Sequence, residues 1–496
     1  MAGRFADGFP ASDSGVELRS TGVAGLLGEV AVPVGNGIEP DRGATSLASS
    51  LAREQVPAEG SAALAVAATG SGLSLAATIP LTELTTRAAE TGNAVELSVP
   101  APPEGQQQVI LEADGTGVLR WHVPLRSAPG ATGSDRGPAS RQRFRIPVTR
   151  VAVADPDSDQ TDRGAIGFGV RKVLHLLRYP VEQAAEIVGG RLVEWWEGRT
   201  ARYGLSVLDP GGFGSVIDDR RPDAEDWRRL AEGPVLLFVH GTFSRVRSGF
   251  AALGDDPAWL ADAHRRYQGR VLAFDHPTLS AGPAANAAWF AGCLPGGQRL
   301  TLDVLTHSRG GLVGRCLPEA LAGHPDAAVR ALVHAGSPNA GTVLASEQHL
   351  DDLLDTVTTL LSLLPAEEIA VPAAAVLEVV KQVATGVRKG LDGLASMDPD
   401  GTFLAAIDRP VPDGIRTHAV AADFTGSAKL SLRALDALAD RLFGTGNDLV
   451  VPTDGVHTAG RYLVPDPLVL RRRDVGHLTL FRTQEVKDAL AGWLTG

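Results

Sequence analysis

TLDVLTHSRGGLVGRCL, residues 301–317, runs apolar through Leu302, Val304 and Leu305, then sets Ser308 between a histidine and an arginine and follows with two glycines. A buried strand has no use for that punctuation, whereas a strand that turns sharply into a helix does. The segment reads as a strand over LTLDVL, a turn at Ser308 and a helix beginning at GGLVGRCLPEAL. A serine in such a turn is pushed out beyond the sheet, where a base can reach it. Close packing asks for small residues two before and two after it. Gly310 meets that demand; Thr306 stands where glycine is commoner and needs room for its branched Cβ.

Outward from this stretch the pattern repeats. PVLLFVHG, GRVLAFDHP, LTLDVLTHS, VRALVHAGSP and IRTHAVAADF are apolar runs separated by helical stretches, and each ends in a turn containing His, Asp, Ser or Gly. Such alternation predicts an α/β domain with a mostly parallel sheet covered by helices on both faces, and functional groups collect at the carboxyl ends of strands in such sheets.

A serine hydroxyl is a weak nucleophile at neutral pH and needs a histidine as general base and an acid to orient it. GTGNDLVVPTDG places Asp448 in a polar turn before an apolar pair, and RRDVGHLTLF places His477 after a glycine, with LTLF available to anchor its loop. The order Ser308, Asp448, His477 is one in which such triads occur. Asp423, at the end of AVAAD, competes for the acid position, with Asp454 behind it. An oxyanion hole requires two backbone N–H groups. Arg309, directly after the serine, supplies one; LLFVHGTFS supplies the other, with His240-Gly241 turning the chain so that the N–H of Thr242 faces the same pocket.

FVHGTFS, FDHPTLS, THSRGG, HAGSPNAGT, NDLVVP and GHLTLF occur in an order that resembles the α/β-hydrolase superfamily, in particular its lipase and esterase branch, over roughly residues 230–485. The resemblance implies Ser308 as nucleophile, Asp448 as acid, His477 as base, and Thr242 and Arg309 as oxyanion donors. It implies that His240, Gly241, His307 and Gly310 shape the supporting turns. An arginine after the serine, where lipases often carry Met or Gln, could bias the pocket towards an anionic group or simply be solvated or salt-bridged. His334, His418 and His457 read as structural. The implied activity is hydrolysis of a carboxylic ester, lipid esters included, through an acyl-serine, with no cofactor and no metal. Acyl transfer to another acceptor, or use of the fold as a partner-regulated effector or scaffold, remains the alternative.

Residues 1–153 carry strand patterns and predict a small β-rich domain: NAVELSVP alternates through Val95, Leu97 and Val99, QVILEADGTGVLRWHVP reads as a hairpin turning at Asp114-Gly115, and RFRIPV alternates through Phe144, Ile146 and Val148. It could bind a protein partner. Residues 154–224 read as an acidic linker followed by a helical connector, VRKVLHLLRYPVEQAAEIVGGRLVEWWEG, in which Trp195 and Trp196 dock on a neighbouring domain. The hydrolase domain then spans 225–496. Within it, residues of about 345–396 have helical apolar spacing; in lipase-like folds an insertion here caps the site, and an extra packing layer or an oligomer contact is the alternative.

Composition narrows the rest. A net charge of −12 without a long cationic block argues against nucleic acid, and Arg471–Arg473 reads as a solvated cluster. Cys293 and Cys316 are too few for a disulfide framework or a zinc site. No apolar run of about 18 residues and no signal-like N-terminus predict a cytoplasmic protein without an integral membrane segment.

Overall fold

The computed structural model describes residues 2–11, 13–20, 27–32, 47–84, 94–125, 141–147, 170–180, 193–194, 197–198, 202–210, 213, 221–364, 366–385, 390–427 and 429–495. The chain forms two compact units. Unit 1 comprises Met1–Val188 and Leu354–Val387; unit 2 comprises Gly189–Leu353 and Arg388–Gly496.

Unit 1 contains β1 (Ala2–Ala6), β2 (Glu17–Ser20), β3 (Leu27–Ala31), β4 (Ser74–Leu84), β5 (Ala94–Pro100), β6 (Gln106–Asp114), β7 (Leu119–His122), β8 (Arg141–Pro147) and β9 (Val170–Pro180). They build a six-stranded sheet of order β1-β3-β4-β9-β6-β7 and a three-stranded sheet β2-β5-β8. Alternation decides which face is buried: Val95, Leu97 and Val99 of β5 and Phe144 and Ile146 of β8 share one core with Ile79, Ile110, Leu174 and Leu176 of the larger sheet. The hairpin joining β6 to β7 closes with its positive φ at Gly117, not Gly115, while the Asp114 carboxylate accepts the amides of Thr116 and Val118. Buried beside it, Glu112 bonds Lys172, Arg120 (3.2 Å) and His122 (2.8 Å), so each buried charge has a partner.

Two expectations change here. VRKVLHLLRYP is strand β9, not a helix: it buries side chains on both faces of its sheet, so its apolar residues lack the two-residue alternation that marks a half-buried strand. The stretch expected as a single insertion of the hydrolase domain is divided, with Leu354–Val387 belonging to unit 1. Helices Leu350–Leu361 and Ala366–Ala384 carry its apolar faces. Thr359 Oγ1 accepts the Leu119 amide at 3.0 Å, Trp121 Nε1 donates to Thr358 at 2.9 Å, Tyr179 Oη donates to the Lys381 carbonyl, and Lys381 Nζ donates to the Ser71 carbonyl at 2.6 Å. The acidic linker, residues 181–192 of the expected connector, Trp195, Trp196 and Val148 lie outside the described residues.

Unit 2 contains β10 (Gly204–Val207), β11 (Pro234–Val239), β12 (Val271–Asp275), β13 (Leu300–His307), β14 (Ala327–Ala335), β15 (Arg416–Phe424), the small hairpin β16 (Thr458–Ala459) and β17 (Tyr462–Leu463), and β18 (Leu468–Arg472). Its seven-stranded sheet has the order β10-β12-β11-β13-β14-β15-β18, parallel except for the edge strand β10. This is an α/β fold, and the five anticipated strands are its centre. Both flanking strands, β10 and β18, escape sequence reading because GLSV and LVLRR are too short to show a period. Asp303, the charge inside LTLDVL, is buried and taken up by Arg330 (2.8 Å) and Tyr267 Oη (2.6 Å). From β11 the order runs one way to β12 and the other way through β13, so the sheet switches direction between β11 and β13. The carboxyl ends at such a switch form the crevice where open α/β sheets bind ligands.

A chain of residues 1–188 alone lacks the helices of Leu354–Val387 that belong to its unit. It is expected to show no cooperative unfolding and little near-ultraviolet circular dichroism, both regained when residues 354–387 are joined to it through a linker. A cooperative thermal transition in the short chain would contradict this reading.

Candidate active site

Ser308 sits at the carboxyl end of β13, one residue before the N-cap of the helix Gly310–Ala320, with φ of +54°. Left-handed backbone costs an L-residue about 1–2 kcal/mol and persists where its surroundings over-determine it. Those surroundings are visible. Ser308 donates its amide to the Ala335 carbonyl at 2.9 Å. Gly241, at the end of β11, packs so closely that an added Cβ would lie 2.4 Å from Ser308 Cβ, and a Cβ on Gly310 would lie 2.3 Å from the Val239 carbonyl oxygen. Glycine at 241 therefore serves close approach; the positive φ of that turn falls at Phe243, next to Thr242. Thr306 finds its room because the helix carries Gly314 opposite its methyl group, and its hydroxyl donates to the Val333 carbonyl at 2.7 Å.

His477 and Asp448 come together. The ring Nδ1 lies 2.7 Å from Asp448 Oδ2, while Asp448 Oδ1 accepts the amides of Val450 (3.0 Å) and Val451 (2.7 Å). A carboxylate can only accept, so Nδ1 carries the proton and Nε2 is left as the basic nitrogen. The His477 amide donates to the Asp448 carbonyl at 3.0 Å, and Leu480 and Phe481 anchor the loop in the core of unit 2. His307, the residue before Ser308, donates from Nε2 to the His477 carbonyl at 3.1 Å, which ties the serine turn to the histidine loop. Gly336, one residue past the Ala335 carbonyl that holds Ser308, lies beneath the pair: a Cβ there would stand 3.3 Å from both His477 Nδ1 and Asp448 Oδ2. Of the eight non-glycine residues at positive φ among those described, Phe243, Ser308 and Leu449 flank or occupy these three turns.

The rival acids are elsewhere. Asp423 pairs with Arg471 at 3.2 Å, and Asp454 is largely exposed, 3.7 Å from His457. Arg472 pairs with Glu485 at the surface. The accompanying histidines are buried and held by hydrogen bonds: His240 Nδ1 donates to the Gly241 carbonyl while Nε2 accepts the His276 amide, and His334 Nε2 bonds Tyr462 Oη at 2.8 Å. His418 stacks on Trp493. Burial pushes His307 and His334 down to about 3, and His240 also downwards.

Two participants escaped sequence reading. Glu197, from the WWEG run, is buried and accepts the amides of Thr278, Leu279 and Ser280 (2.7–2.9 Å) and the Ser280 hydroxyl. The Arg309 side chain is fully buried rather than solvated; among the described residues no carboxylate forms a salt bridge with it, and it donates to the carbonyls of Gly393 (2.8 Å) and Ala281. Neither contact has a local sequence signal, since each joins segments that are distant along the chain. Among the described residues, no group of three or more His, Cys, Asp and Glu side chains could hold a metal ion, and no helix is long and apolar enough to cross a membrane.

Unit 2 is thus an α/β unit in which Asp448 pairs with His477 and the His477 loop is tied through His307 to the turn that holds Ser308 at the end of β13. Residues 201–495 match the family described as "Domain of unknown function (DUF7379)", and the chain belongs to that family. No curated protein matches the sequence. Among solved structures the chain is similar to the mature lipase BlEst2 of Bacillus licheniformis, with 17% identity, 56% of this chain and 96% of that chain covered and a TM-score of 0.33. It is also similar to lipase 1 of Pelosinus fermentans, with 12% identity, 53% and 98% covered and a TM-score of 0.38. A third similarity is to an epoxide hydrolase of the α/β-hydrolase superfamily from hot-environment metagenomes, with 16% identity, 54% and 92% covered and a TM-score of 0.27. Likenesses this distant assign neither substrate nor mechanism to this chain.

His307 and His334 have folded-state values near 3 against the ordinary 6.5, so between those values the unfolded chain binds more protons than the native one. Stability is therefore fully present above about pH 6.5 and is lost as pH falls towards 3. Urea midpoints are expected to drop steadily over that window, and His334→Gln to flatten the slope; an unchanged slope in the variant would remove His334 from the account.

Proposed function

We propose that unit 2 is a serine hydrolase of the α/β-hydrolase class that cleaves a carboxylic ester through an acyl-serine intermediate. The observation that carries this reading is the hydrogen-bonded Asp448–His477 pair, tied through His307 to the left-handed turn that presents Ser308. The order of the sheet supports it, because Ser308 and the Gly241–Thr242 turn end the adjacent strands β13 and β11 at the switch point.

In this mechanism Ser308 Oγ attacks the ester carbonyl carbon while its proton passes to His477 Nε2, and the carbonyl π pair moves onto oxygen. The resulting oxyanion is met by the amides of Thr242 and Arg309. Collapse breaks the bond to the alkoxy group, which takes the proton from Nε2 and leaves as alcohol. Water then repeats the sequence on the acyl-serine and releases the acid. Asp448, with both oxygens occupied by donors, holds the ring in the tautomer this requires and offsets the imidazolium charge that forms. That Asp448 bonds the ring while Asp423 bonds Arg471 supports Asp448 in the acid role. The aliphatic or aromatic nature of the acyl group is left to a substrate series, and lipid esters belong in it.

A fluorophosphonate probe is expected to label Ser308, located by mass spectrometry, with labelling lost in Ser308→Ala. Hydrolysis of p-nitrophenyl butyrate should fall on the order of 10⁶-fold in that variant. Asp448→Asn should lower kcat by about 10⁴-fold through the wrong ring tautomer, while Asp423→Asn leaves it nearly unchanged. An Asp423→Asn defect as large as that of Asp448→Asn would reassign the acid, and no adduct on the native protein would sink the hydrolase reading.

A further inference from the structure

Arg309 is the largest fully buried side chain among the described residues, and it stands immediately after the proposed nucleophile. Burying a guanidinium without a bonded carboxylate is costly, and burial indeed pulls its pKa down to about 10, opposed chiefly by the nearby charge of Glu197. Its bonds show what the buried group holds. Nε donates to the Gly393 carbonyl at 2.8 Å and an Nη donates to the Ala281 carbonyl, so one side chain fastens two separate loops to the serine turn.

Those loops are themselves locked together. The Gly393 amide donates to the Leu279 carbonyl at 2.8 Å, and the backbones approach so closely that a Cβ on Gly393 would lie 2.1 Å from the Thr278 carbonyl oxygen. Glu197 grips the same loop through the amides of Thr278, Leu279 and Ser280. At its other end the turn that starts at Gly393 reaches Met397, whose sulfur lies 3.7 Å from Thr242 Oγ1 and whose carbonyl accepts the Thr342 amide at 2.8 Å. Thr342 Oγ1 in turn donates to the Val450 carbonyl at 2.6 Å, two residues from Asp448. The turn Leu391–Met397 therefore touches Arg309 through Gly393 and Thr242 through Met397.

We infer that the Arg309 side chain is a positioning residue: together with Glu197, which holds the loop Thr278–Ser280, it fixes the turn Leu391–Met397 that sets the spacing of the Arg309 and Thr242 amides. The inference rests on the proposed hydrolase reading, in which those two amides face the oxyanion. Preorganised donors act only when they stand at the place where charge develops, and displacement of about 1 Å can cost 10²-fold. A defect in this strut therefore falls on the transition state and spares binding of the ground-state ester.

The test is steady-state hydrolysis of p-nitrophenyl butyrate by the full chain, with kcat expressed per site titrated by fluorophosphonate. Arg309→Met is expected to lower kcat about 10²-fold with KM little changed, and Arg309→Lys to recover part of the loss because an ammonium still donates to a backbone carbonyl. Gly393→Ala leaves Arg309 intact yet forces the turn off Thr278, and is expected to show the same kcat-selective loss; it decides the matter where Arg309→Met does not fold. Native kcat per titrated site in the folded variants, or a change confined to KM, would overturn the inference while leaving the hydrolase reading standing. Native protein that neither labels at Ser308 nor hydrolyses the ester would overturn the hydrolase reading itself, and the inference with it.

Discussion

The chemistry proposed for unit 2 depends on holding Ser308 at a positive φ between a strand and a helix. The conformation is disfavoured for an L-residue, so neighbouring segments must impose it. The Ala335 carbonyl takes the serine amide, Gly241 presses against the serine side chain, and Gly310 allows the helix to start against the end of β11. Each contact needs a residue of minimal size or a strand at a fixed distance. The parallel order of β11, β13 and β14 supplies those distances, and the turn in turn fixes where β13 must end.

The same economy appears in the polar groups around the serine. His240, His307 and His334 are buried, bonded to a backbone carbonyl or to a tyrosine hydroxyl, and burial disfavours their charged forms. They tie loops together without adding positive charge beside Ser308. Among these four histidines His477 has the closest carboxylate, Asp448 Oδ2 at 2.7 Å against 3.5 Å between His240 and Asp275, and its loop is linked both to the Ser308 turn and to the Asp448 turn. Arg309 extends this scheme, since its charge is buried but its bonds go to carbonyls of two loops.

The two units share the chain in an uneven way. Residues 354–387 leave unit 2 after Leu353, complete unit 1, and return at Arg388 a few residues before the turn that touches Arg309 and Thr242. Their apolar spacing was legible as helix, and the helices are present. Their partner was not legible, because periodicity reports that a face is buried and is silent about what buries it. Strand β9 shows the complementary case: burial on both faces erases the alternation that would have marked it as a strand.

The sequence by itself determined the five central strands, the turn at Ser308 and the residues at the strand ends, because these follow from local patterns: apolar runs, glycine punctuation and the order of Ser308, Asp448 and His477. It left Asp448 and Asp423 both eligible as the acid, since each ends an apolar segment in a polar turn. Only the tertiary structure gives them different partners, by setting His477 against Asp448 and Arg471 against Asp423. It likewise decided the place of Glu197, the role of Gly336, and the unit to which residues 354–387 belong. Local patterns arise from forces acting along a few consecutive residues, whereas these contacts join positions from tens to hundreds of residues apart and exist only once the strands have been set in register.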